Sequence, residues 1–150
     1  MDRSFVKKKI ELAYNLFDKN DFKSAFVIYE DIAYDINNDL INRADAYLMM
    51  GLIIECFDPG LSNTDDESGL EYYKLGLELI PDHKWLLIGI IRSFGDYFPY
   101  HTDIIEFKKA YNILLNNQFD DDILQMIKRK YALMQKMEQE QKTKDDTKGS

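Results

Sequence analysis

Residues 69–83 read GLEYYKLGLELIPDH, and the spacing inside this stretch decides the fold. Small residues, tyrosines and leucines recur at the three- and four-residue steps of one helix face, with Gly69, Tyr73 and Gly76 among them. Pro81 then stops the helix, because proline lacks the donor that a continuing helix requires. Asp82 can cap the next helix, which carries Trp85, Leu86, Ile88, Ile91 and Phe94. Upstream, DPGLSNTDDES is a loop by its Pro-Gly, Ser, Asn and Asp content. Thr64 and Glu67 have the spacing of a capping box that opens the quoted helix.

The rest of the chain repeats this grammar. A first helix is expected from Ser4 to Asp18, with Val6, Ile10, Ala13, Leu16 and Phe17 on its apolar face. DKND breaks it, and Asp21 caps a second helix carrying Phe22, Ala25, Ile28, Tyr29 and Ile32. A third runs from Asn42 to about Phe57 and is apolar almost all round, as expected of a buried element. Thr102 caps a sixth, and a long seventh follows from about Asp120. The end, EQEQKTKDDTKGS, has no apolar residue and is expected to fray. No stretch alternates as a half-buried strand does, and only seven Gly and three Pro punctuate the chain. The expectation is all-α, with seven helices and short connections.

The helices fall into pairs. IELAYNLFDKNDFKSAFVIYEDIAYDIN and AYLMMGLII…SGLEYYKLGLELIPD each place a small residue on the first helix, Ala13 or Gly51, after Leu12 or Met50. Each places another on the second helix, Ala25 or Gly69, four positions before Tyr29 or Tyr73. This plan resembles the tetratricopeptide repeat (TPR) over roughly residues 5–116, with Gly76 at the usual alanine position and Pro81 at the usual proline. A third pair keeps Phe107 and Ala110, but Asp103 stands where a small residue is usual. From Gly51 to Gly69 is 18 residues and from Ala13 to Ala25 is 12, so the second pair carries a longer internal loop.

The resemblance implies a right-handed superhelix of about three helix-turn-helix repeats over residues 1–141, ending in a capping helix, with 142–150 as a disordered tail. It also implies that the first helix of each pair lines a concave groove. The residues expected there are Tyr14, Phe17, Leu48, Leu52, Glu55, Trp85, Ile88 and Arg92, an apolar and aromatic lining with one basic group. Aromatics and arginine are the usual anchors of protein interfaces. Chaperone-binding members of the family clamp an acidic peptide with Lys, Arg and Asn. Here Ile10, Tyr14 and Leu48 stand at comparable places, which does not support that activity.

Charge narrows the partners. The net charge of −8 repels a phosphate backbone, although Lys7–Lys8–Lys9 and Lys128–Arg129–Lys130 are basic clusters, read as solvated faces. A basic protein partner fits better. The longest apolar stretches, AYLMMGLII and WLLIGII, are well short of the roughly 20 residues that span a bilayer, so no membrane association is expected. The single Cys56 suits a reducing compartment, and the N-terminus lacks a leader-like apolar run, so a cytoplasmic location is expected.

Little in the sequence points to chemistry. No glycine-rich phosphate loop occurs, and no cofactor is expected. His83 and His101 read as surface loop residues without metal-ligand partners, and Cys56 as a partly buried, inert thiol. The runs 65–67 and 120–122 precede helices, where acidic groups cap free amides and offset the dipole rather than bind calcium. The reading is a non-enzymatic module that binds a protein or peptide in its groove, such as an adaptor, a secretion chaperone or an immunity protein that neutralises a basic toxin. The alternative is a helical-bundle enzyme or ligand-binding protein with a pocket the sequence does not reveal.

Overall fold

A computed structural model describes residues 3–62, 68–96 and 104–148. Across them the chain is helical, with seven α-helices and no strand. These are α1 (Arg3–Asp18), α2 (Phe22–Tyr34), α3 (Leu40–Leu52), α4 (Leu70–Leu79), α5 (Lys84–Ser93), α6 (Ile104–Leu114) and α7 (Asp121–Lys148).

The first corner is built from local chemistry. Asn20 adopts the left-handed conformation, φ 66°, which asparagine tolerates better than most residues. That turn lets the Asp21 N–H reach back 2.9 Å to the Leu16 carbonyl, closing α1. The Asp21 carboxylate then accepts the Ser24 N–H at 3.3 Å and starts α2. Lys9 and Asp31 form an ion pair across the two helices. At the next corner Arg43 donates to the Ala33 carbonyl at 2.8 Å, satisfying the end of α2.

The small residues of the paired plan are all buried. Ala13, Ala25, Gly51 and Gly69 sit in the interior with Tyr29 and Tyr73. A β-carbon on Gly69 would lie 2.4 Å from the Gly51 carbonyl oxygen, so α3 and the start of α4 approach backbone to backbone. The paired positions before Ala13 and Gly51 differ: Met50 is fully buried, whereas Leu12 is exposed.

The third helix departs from expectation at both ends. It starts at Leu40 rather than Asn42, and beyond Leu52 it widens into a π turn, Ile53–Phe57. The Asp58 N–H closes that turn on the Ile53 carbonyl at 2.7 Å. A short 3₁₀ turn, Pro59–Leu61, follows. The proposed capping box at Thr64 and Glu67 lies outside the described residues, as do Thr102 and Asp103. The first helical residue described in α4 is Leu70.

Two compact units divide the chain, Met1–Gly89 and Ile90–Ser150. The first has a core of Ala13, Ala25, Tyr29, Ile32, Met50, Ile53 and Ile54, in which α3 packs between α2 and α4. In the second, Phe107, Ala110 and Leu114 of α6 are buried, and Tyr111 stacks on Tyr131 of α7 at 4.6 Å between ring centroids. Lys130 of α7 donates to the Phe94 carbonyl at 2.6 Å and pairs with Asp96 at 2.8 Å, placing a cation at the C-terminal end of α5. The frayed tail expected from residue 142 is instead helix through Lys148. Gln, Glu and Lys propagate a helix already nucleated upstream, and the Lys108–Glu138 pair anchors its approach.

Candidate partner-binding groove

Three helices that are not neighbours in sequence, α1, α3 and α5, contribute to one open groove in the first unit. Its volume is about 700 Å³, and Tyr29 and Ile32 of α2 also line it. Helical spacing explains the set. Ile10 and Tyr14 stand one turn apart on α1, as do Glu11 and Asn15, and Asn42, Asp45, Ala46 and Met49 follow the same steps on α3. Leu48 and Trp85 complete the lining. Tyr14 is 58% exposed and Trp85 49%, so two large aromatic groups stand half in water here. Below them Tyr29 is buried, and its phenol is pushed up to about 12 by that burial first and by Tyr14 second.

The position of Trp85 depends on His83. Its Nδ1 accepts the Leu86 N–H at 3.3 Å, which caps α5 and leaves the ring proton on Nε2. Nε2 then donates to Asp45 Oδ1 at 2.7 Å, tying the start of α5 to α3. His83 is 8% exposed, which corrects the expectation of a surface loop histidine, and it takes the capping role expected of Asp82. Burial there is satisfied because both ring nitrogens have partners. Neither nitrogen is therefore open to act as a base.

The eight residues expected in the groove divide. Tyr14, Leu48 and Trp85 line it together. Phe17 packs instead in an aromatic cluster, 5.5 Å from Phe22 and 5.2 Å from Phe57 between centroids. Ile88 is 3% exposed and belongs to the core, one turn from the helix face that carries Trp85. Leu52 is half-buried, outside the lining, in the last turn of α3. Glu55 stands on the π turn and accepts the Tyr73 hydroxyl. Arg92 is in the last turn of α5, in the second unit. The extra residue in the π turn is why a strict 3.6-residue count fails after Leu52.

Glu11, Asn15, Asn42, Asp45 and Met49 also line the groove, and they were not among the expected site residues. Their signal was present but weak: polar residues beside an apolar stripe ordinarily face solvent. Cys56 is exposed rather than partly buried, because the π turn rolls it away from Ile53 and Ile54. Asp120 accepts the Ile123 N–H at 3.0 Å and so caps α7. His101 and residues 65–67 lie outside the described residues. Among the described residues no group of three His, Cys, Asp or Glu side chains stands close enough to hold a metal ion. None of the described helices is long and apolar enough to cross a membrane.

Comparison with protein-family models, with curated proteins and with solved structures returns no match to this chain.

Proposed function

We propose that this chain is a TPR-like helical repeat module that works in the cytoplasm, without catalysis of its own, by binding a partner protein in the groove between α1, α3 and α5. The observation that carries the reading is the half-exposed pair Tyr14 and Trp85 on an apolar lining. Large aromatic groups left in water at a concave surface are the usual anchors of a partner. The first helices of the successive pairs supply most of that lining, as the repeat resemblance implies. Two carboxylates and no cation line it among the described residues, which favours a basic partner.

Affinity capture from the native host tests this. The wild-type chain is compared with a Tyr14→Ala/Trp85→Ala variant, and bound proteins are identified by mass spectrometry. The reading expects one protein captured in near-stoichiometric amount by the wild type and lost by the variant, with melting temperatures within a few degrees. Capture of the same proteins by both baits, or of none by either, would overturn it.

A further inference from the structure

Acids and aromatics line the groove, and among the described residues no cation does. Glu11 makes no ion pair or hydrogen bond among the described residues. Asp45 gives Oδ1 to His83, and its other oxygen accepts nothing among the described residues. That bond also holds the Asp45 carboxylate in place before any ligand arrives, which lowers the ordering cost of binding. Tyr14 presents an aromatic ring that is more than half exposed and makes no ring contact among the described residues. Trp85 already takes a cation, since Lys84 Nζ lies 5.5 Å from its centroid.

We propose that the groove takes a polypeptide segment presenting an arginine between apolar side chains; the inference rests on the groove being the partner site. A guanidinium suits this lining because it is planar. It stacks on an aromatic face while its fork donates to a carboxylate, whereas a lysine brings a compact, strongly hydrated point charge. Neighbouring Ile10, Leu48 and Met49 call for apolar contacts that a free amino acid would leave uncovered. A segment supplies both. Asn15 and Asn42 add carboxamides able to meet a peptide backbone, each a donor and an acceptor.

Trp85 is the only tryptophan in the chain, so its fluorescence reports on the groove directly. The probes are tryptophan-free dodecapeptide pools, randomised over Leu, Ile, Phe, Ala and Ser around one central residue. That residue is Arg, Lys, citrulline or Glu. The Arg pool is expected to shift Trp85 emission and to bind roughly tenfold tighter than the citrulline or Glu pools, with Lys in between. Glu11→Gln with Asp45→Asn is expected to erase the preference for Arg over citrulline. Glu11→Gln alone, which leaves the His83 contact intact, is expected to halve it or more without moving the melting temperature.

Equal binding by all pools, or preference for Glu, lost in each case in Tyr14→Ala, would overturn the arginine while leaving the groove a partner site. Free arginine amide binding as tightly as the Arg pool would overturn the segment. No response from any pool would sink both the inference and the reading beneath it.

Discussion

The ring of Tyr73 fills the space that a side chain on Gly51 would need: a β-carbon there would lie 2.4 Å from the ring. Gly89 meets the same ring from α5, at 2.9 Å. One aromatic group on α4 thus holds α3 and α5 at a spacing that only glycine allows. Gly51→Ala and Gly69→Ala are each expected to destabilise the first unit by about 1–3 kcal/mol, the usual scale of overpacking. Gly60→Ala is the control, since its β-carbon would meet nothing closer than 3.4 Å. Urea denaturation of the three variants checks the difference; equal midpoints would refute the close approach.

Tyr73 itself separates volume from hydrogen bonding. Tyr73→Phe keeps the ring and removes the hydroxyl that donates to Glu55, and it should cost about 0.5–1.5 kcal/mol. Tyr73→Ala empties a fully buried site and should cost about 3–5 kcal/mol. The ratio of the two, read from the same denaturation curves, shows whether packing or the hydroxyl dominates.

His83→Ala removes the acceptor for the Leu86 N–H and the partner of Asp45 in one step. A lost cap costs about 0.5–2 kcal/mol. Amide exchange at Leu86 should accelerate before exchange in α3 does. His83→Asn, whose carboxamide oxygen can accept the same N–H, should restore much of the protection at Leu86. Unchanged exchange at Leu86 in the alanine variant would show that the cap contributes nothing.

Alkaline pH provides a fourth test. Tyr29 and Tyr72 each titrate at about 12, above the ordinary 10.0, chiefly because burial disfavours the phenolate. Between those values the folded chain holds protons that the unfolded chain has released. Stability is then complete below pH 10 and declines as pH rises toward 12. Thermal melts from pH 9 to 12 should show this decline, and Tyr29→Phe should make it shallower. A flat profile over the window would mean that these phenols titrate as they do in water.

Much of this architecture was legible because its determinants are local. Asp21 and Asp120 cap their helices from three residues away, and Ala13, Ala25 and Gly69 announce their burial through spacing. His83 was not legible, since its role depends on Asp45, 38 residues earlier in the chain. The groove was half legible. Periodicity locates the apolar face of a helix, but it does not say which part of that face meets a neighbour and which meets water. Ile88 and Trp85 lie on the same helix and end on opposite sides of that distinction. Glu55 was misplaced because no residue in ECF signals that the helix will widen.

That widened turn makes the length of the chain here a fixed count. Phe57 stacks on Phe22 at 4.9 Å only because Ile53–Phe57 contains one residue more than an α-helical turn would use. Adding one residue to the turn, which already holds its one extra residue, would swing whatever follows by roughly 100°. Phe57 would then be carried off the corner formed by Phe17 and Phe22, uncoupling the first helical hairpin from the second. The first hairpin should then melt separately, as an early transition that the intact chain lacks. A feature that looks like local slack in a helix is, on this account, the latch between two hairpins.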